Sequence, residues 1–264
     1  MAFPVVEGRA ESTTTTASTS HTVSLPASIA SGNLLIVVIA AVDGTTTFSA
    51  TGWTVGSTNT MTGATHTTAW LYKKADGTEG TTFTLTSSNS CRSAEVSYRI
   101  SGAEDPATQV PQSTTASTTG NAVLNNPGAN SPTGGSKDYL WISCFGQEGE
   151  EADDDTWVST WNTSFTNTLE KTCGVAGAAA ANCQVGSSER TSTTATMTLG
   201  GNIQTAQGLD ARSYLIAIHP TGSTSANPTA GAVTAIAAVP APTIEAFTPG
   251  FPAPQIVMSR RGPA

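Results

Sequence analysis

Charge is scarce in this chain. Asp, Glu, Lys and Arg together make up 11% of its 264 residues, and Lys plus Arg number 11 against 19 acidic residues, for a formal net charge of -8. A nucleic-acid partner is not expected on those terms, because neutralising phosphates takes clustered Lys and Arg that the sequence does not supply. Long apolar runs are missing too. The longest, Leu34 to Val42, has the length of a strand and falls short of the roughly 18 to 20 residues a membrane-spanning helix needs, so no membrane partner is expected. The opening Met1-Ala2-Phe3-Pro4 lacks the basic segment and apolar stretch of a secretory signal, and synthesis in a cytoplasm is the expectation.

The motifs of chemistry are equally sparse. No Gly-x-Ser-x-Gly, no phosphate-cradling Gly-x-x-x-x-Gly-Lys and no His-Glu-x-x-His occurs, and the three histidines, His21, His66 and His219, sit apart from one another. No Cys-x-x-Cys pair is present, which argues against zinc. We therefore expect no catalytic residue, no metal and no cofactor. With no secretion signal, Cys91, Cys144, Cys173 and Cys183 are expected as reduced thiols, the first two as core residues. Cys173 and Cys183 bracket Gly174 to Asn182, and a disulfide closing that loop is the alternative once the protein leaves a reducing compartment.

Neutral polar residues fill the space that charge leaves. Thr dominates by eye, and a β-branched side chain with a hydroxyl suits the solvent face of a strand better than a helix. Strand-like segments recur at Thr22 to Leu25, Leu34 to Val42, Gly52 to Val55, Thr67 to Lys73, Thr82 to Thr86 and Ser93 to Ile100. A second group follows at Tyr139 to Phe145, Trp157 to Thr160, Thr193 to Leu199 and Ser213 to His219. Leu34 to Val42 is apolar on both faces and so belongs in the centre of a sheet covered twice. No helical period appears. The pattern predicts an all-β protein, an antiparallel β-sandwich over residues 21–221 with a long loop at about 103–137. Residues 1–20 form a Thr-rich segment or a first strand. Residues 222–264, rich in Pro and Ala, read as an extended C-terminal arm, since repeated Pro forbids helix. Its apolar residues Phe247, Phe251, Ile256, Val257 and Met258 are spaced to plug successive pockets on a neighbouring subunit, and Arg260 and Arg261 to meet acidic surface.

Three further features compete for a function. The run from Glu148 to Asp155 holds six carboxylates in eight residues, enough oxygen for calcium, but it lacks the EF-hand spacing and reads as a solvated loop. Trp157 and Trp161 lie four apart beside it, and an exposed pair of that kind stacks on sugar rings; in a chain with five Trp the competing reading is structural anchorage. Asn162-Thr163-Ser164 matches a glycosylation sequon that matters only in a secretory route.

The order of segments carries a resemblance. Gly32-Asn33-Leu34-Leu35, the turn Gly52-Trp53, the strand Ala69-Trp70-Leu71-Tyr72-Lys73-Lys74, and Ala94 to Tyr98-Arg99 leading to Gly102 follow one another as in the jelly-roll-like β-sandwich modules of tailed-bacteriophage structural proteins. The likeness covers about Ser20 to Pro106, with one extra residue between Ala94 and Tyr98. It implies a jelly-roll-like fold and a place in a virion, with the major capsid protein or other virion proteins as partners, and homo-oligomerisation. A non-enzymatic capsid decoration or cement subunit is the leading expectation; a tail, neck or fibre protein that binds host glycans through Trp157 and Trp161 is the alternative.

Overall fold

The computed structural model describes residues 2–61, 65–149, 157–174, 182–206 and 209–222. The described residues fall within one compact unit, Met1–Ala226. Phe247, Phe251, Ile256, Val257, Met258, Arg260 and Arg261 lie outside the described residues, as does the rest of the expected arm after Gly222.

Alternation of apolar and polar side chains along β-branched segments forces extended backbone, and the described residues contain strands and no helix. In chain order they are β1 (Val5–Ser24), β2 (Leu34–Ala41), β3 (Phe48–Ser49), β4 (Thr54–Thr60), β5 (Thr67–Lys74), β6 (Thr82–Ser101), β7 (Gln112–Thr118), β8 (Lys137–Glu148), β9 (Val158–Thr160), β10 (Thr166–Thr172), β11 (Cys183–Thr194), β12 (Gln204–Thr205) and β13 (Ala211–Ile218). One antiparallel sheet has the order β1-β6-β2-β5-β4, with β3 also on β6. A second runs β10-β11-β8-β13-β7, and β9 pairs with β12. The two larger sheets pack as a sandwich, the expected architecture.

Leu34 to Ala41 is central, with β5 on one side and β6 on the other, and all eight residues are buried. Its even-numbered residues Leu34, Ile36, Val38 and Ala40 face the second sheet, meeting Ile142, Cys144, Val185, Tyr214 and Ile216. Its odd-numbered residues Leu35, Val37 and Ile39 face the opposite way and need a cover of their own. Each such Val, Leu or Ile contributes roughly 1.5–3 kcal/mol over an exposed side chain.

That cover comes from the β1–β6 ribbon, which is twenty residues long in each strand. Register shifts between Thr14 and Ser18 and between Ser18 and Ser20 break its pairing, and such bulges bend a strand. Beyond them the ribbon doubles back. The Ser24 amide donates to Ser12 Oγ at 3.1 Å, and Ser97 Oγ donates to the Ser24 carbonyl at 2.7 Å. Val23, Leu25 and Leu85 are thereby laid over Leu35, Val37, Ile39 and Leu71. The Thr-rich segment before His21 is thus part of a strand continuous with Thr22 to Ser24. Thr82 to Thr86 and Ser93 to Ile100, expected as two strands, form the single bent strand β6.

Other expectations are corrected. The loop expected over about 103–137 contains the edge strand β7, whose Ser/Thr-rich sequence offers no apolar alternation. Thr193 to Leu199 is not a strand: β11 ends at Thr194, and Met197 pairs by an isolated bridge with Asn130 while its side chain joins Tyr139, Trp141 and Leu215. Close approach decides two glycines. A Cβ on Gly146 of β8 would lie 2.2 Å from Thr68 Oγ1 in the facing sheet, and one on Gly56 of β4 would lie 2.3 Å from the Trp70 ring.

Candidate functional site

Trp157 and Trp161 do not form a platform. Trp157 is 3% exposed and packs edge-on to Phe145 at 5.4 Å between ring centres, in a cluster with Leu124, Ile203 and Ala211. Trp161 is half-buried against the same Phe145 at 6.0 Å. A sugar ring needs a free aromatic face, and Trp157 has given its faces to the core, so the glycan-stacking expectation is corrected to structural anchorage for that residue. Of the acidic run, Glu148 and Gly149 are described; Glu148 Oε1 accepts a hydrogen bond from Thr65 Oγ1 at 2.5 Å and lies 3.4 Å from His66 Nδ1. Glu150 to Asp155 lie outside the described residues.

The three histidines are dispersed and each is buried. His66 Nε2 meets the Asn182 carbonyl at 2.8 Å, and burial holds its imidazole below the usual range against the pull of that carbonyl and of Glu148. His219 packs edge-on to Tyr139 with no hydrogen bond to either ring nitrogen, and burial, helped by Lys137, depresses it to about 4. His21 is different, because it sits in a polar chain. Its Nε2 meets Ser87 Oγ at 2.8 Å, its Nδ1 meets Ser93 Oγ at 2.8 Å, and Ser93 Oγ contacts Glu95 at 2.5 Å; Ser12 Oγ contacts the other Glu95 oxygen at 2.8 Å. Burial pushes the Glu95 carboxyl up to about 7, against the Ser93 and Ser12 hydroxyls that pull it down, and burial lowers His21.

Hydroxyl, imidazole, hydroxyl and carboxyl in that order resemble a proton relay. Its location says otherwise. His21, Ser93 and Glu95 have no exposed surface and Ser87 is 3% exposed, all enclosed between the sheet and the folded ribbon. The chain ties the ribbon's far half, through His21 and Ser87, to its near half, through Ser12, Ser93 and Glu95. Sequence reasoning missed it because Ser12, His21 and Glu95 meet only after the ribbon bends.

The sandwich margins carry the surfaces open to a partner. Between β1 of one sheet and β10 and β11 of the other lies a cleft of about 540 Å³, lined by Phe3, Val5, Val6, Leu140 and Asn167 and crossed by the Arg9–Glu189 ion pair. At the opposite margin stand the edge strands β4 and β7. Neither Thr54–Thr60 nor Gln112–Thr118 contains a charged residue or a proline. β7 is partly capped, since Asn130 Nδ2 donates to the Gln112 carbonyl and Asn125 Nδ2 to the Ser117 carbonyl. β4 is exposed at Thr54, Val55 and Gly56, has a bulge between Val55 and Ser57, and is capped at its far end, where Arg212 Nη2 donates to the Thr60 carbonyl at 2.7 Å.

On the outer face of the second sheet, Gln147 and Gln184 are paired across β8 and β11. Both are fully buried, and among the described residues neither carboxamide has a hydrogen-bond partner; the indole N–H of Trp157 has none either. Unpartnered buried polar groups are costly, roughly 1–3 kcal/mol each. Comparison with protein families, with curated proteins and with solved structures gives no match for this chain.

Proposed function

We propose that this chain is a non-enzymatic structural subunit of a larger assembly, a virion protein that decorates or cements a capsid shell made in a host cytoplasm. The exposed stretch Thr54 to Gly56 of the edge strand β4, with no charged residue of its own, carries the reading. An edge strand exposes a row of unpaired amides and carbonyls, and proteins that remain solitary blunt such edges with Lys, Pro or a covering segment. β4 has no Lys and no Pro, so it suits a strand supplied by a neighbour. The Pro-rich segment after Gly222 is a fitting donor: Phe247, Phe251, Ile256, Val257 and Met258 supply side chains for pockets, and Arg260 and Arg261 suit an acidic shell subunit. The likeness of Ser20 to Pro106 to jelly-roll-like bacteriophage modules supports the virion setting. Partners would then be the major capsid protein and further copies of this chain.

Deleting Phe247 to Ala264 tests it. Particles assembled with the full chain should carry it in high copy against the major shell protein by quantitative mass spectrometry, and the truncated chain should be lost from particles while staying folded. Undiminished incorporation of the truncated chain would remove the arm from the proposal, and absence of the full chain from particles would remove the virion setting.

A further inference from the structure

We propose that Cys173 and Cys183 form a redox-active dithiol, with Cys173 as the attacking sulfur and Cys183 as the resolving one, which closes to an intramolecular disulfide when the protein meets a peroxide. The inference is independent of the assembly reading.

The pair stands where a ladder ends. β10 and β11 pair Thr172 with Gln184, so Cys173 and Cys183 face each other at the next rung, and the Cys173 amide donates to the Cys183 carbonyl at 2.9 Å. Directly opposed residues of antiparallel strands have Cα atoms about 4.5–5.5 Å apart, within the span of about 4.4–6.8 Å that a disulfide bridges. A regular rung would return the Cys183 amide to a carbonyl. Here that amide donates to Cys173 Sγ at 3.0 Å. Sulfur has taken the place of the backbone acceptor, and a backbone N–H aimed at sulfur favours the thiolate, the nucleophilic form.

The four thiols are not equivalent. The Cys183 thiol, helped by the Cys183 amide and by the charge of Arg92, draws Cys173 below the ordinary thiol range despite its burial. Burial instead raises Cys91, Cys144 and Cys183. Cys183 Sγ keeps its proton and lies 3.2 Å from the Ala40 carbonyl, an alternative acceptor for it once Cys173 has reacted. All four are free cysteines with almost no exposed surface; the pair stands at the end of the β10–β11 ladder, where local fraying gives a small oxidant access, whereas Cys144 lies in mid-strand at the centre of the sheet.

The chemistry balances in two steps. The Cys173 thiolate attacks hydrogen peroxide, forming the sulfenic acid and releasing hydroxide. Cys183 sulfur then attacks the sulfenic sulfur, forming the S–S bond with loss of water, so that two thiols are oxidised and one peroxide is reduced. The product would clamp the ends of β10 and β11 and close the loop between them. A thiol reductant would reverse it.

The test treats the folded full chain with a slight excess of hydrogen peroxide, alkylates the remaining thiols under denaturing conditions and maps the peptides by mass spectrometry. Because no Lys or Arg separates them, both sulfurs lie on the tryptic peptide Thr172 to Arg190, and the expected product is that peptide lighter by two hydrogens and unalkylated, with Cys91 and Cys144 alkylated and Cys173 reacting roughly tenfold or more faster than Cys144. In Cys183→Ser the sulfenic acid on Cys173 should persist long enough to be trapped by a cyclic 1,3-dione. A linkage through Cys91 or Cys144 would overturn the proposal, as would oxidation of Cys173 to the sulfinic acid without cross-linking in the wild-type chain.

Discussion

Replacing Glu95 by Gln should make the protein more stable above neutrality and leave it nearly unchanged in acid. The carboxyl titrates at about 7 in the fold against 4.5 in the ordinary state, because burial penalises its charge. A group whose value is raised by folding keeps its proton in the folded state after the unfolded chain has lost it. Stability is therefore fully present below about pH 4.5, falls as pH rises, and reaches its lower plateau above about pH 7. The gap is about two and a half pH units, and at about 1.36 kcal/mol per unit the loss is about 3 kcal/mol. A neutral carboxamide at the same place can still accept from Ser12 and donate to Ser93, so Glu95→Gln keeps the contacts and removes the titration. His21, His66 and His219 are all held below their ordinary values, and each costs stability as pH falls through 6.5 toward its folded value. Those costs are common to both proteins and largely cancel in the difference, though His21 shares Ser93 with Glu95 and its part cancels less completely. Urea unfolding of both proteins, from about pH 4.5 to about pH 8.5, measures the difference directly. Curves for the two proteins that stay parallel across that range would refute a buried, neutral Glu95.

Two variants, one single and one double, probe the packing. Gly146→Val places side-chain atoms where Thr68 Oγ1 already lies 2.2 Å from an added Cβ, and it should cost roughly 1–3 kcal/mol or more, read as a lowered melting temperature by calorimetry; an unchanged value would mean that the sheets can part locally. The double change Gln147→Met and Gln184→Met replaces two unpartnered carboxamides with apolar side chains of similar size and should stabilise by roughly 1–3 kcal/mol in urea unfolding; destabilisation would show that those carboxamides are satisfied by bound water or ligand.

The sequence was most informative where burial imposes a simple period. Leu34 to Val42 announced a strand covered on both faces, because a strand buried twice has no polar position to hide in, and Thr67 to Lys73, Tyr139 to Phe145 and Ser213 to His219 were legible as strands. Composition excluded a spanning helix and placed Thr on strand surfaces. It failed at β7, where side chains are small and polar on both faces and alternation carries no contrast, and at β10, where Leu169 is the sole apolar residue of Thr166–Thr172.

Other features depended on the third dimension. Two apparent strands, Thr82 to Thr86 and Ser93 to Ile100, are one, because a bulge bends the backbone without ending its hydrogen bonding. Ser12, His21, Ser87 and Glu95 are remote in sequence and meet only when the bent ribbon folds onto the sheet. Sequence leaves Trp157 open between an exposed ring and a structural anchor, and it is a core ring in the fold, since what decides its exposure is Phe145, Ile203 and Ala211 from distant segments. Spacing suggested the Cys173 and Cys183 pair, but the aim of an amide at one sulfur is a property of the strand ladder alone. Local pattern fixes which residues extend and which face inward; the closure of one sheet upon another decides which polar groups are shut in together, and that sets their acidity, their partners and their reactivity.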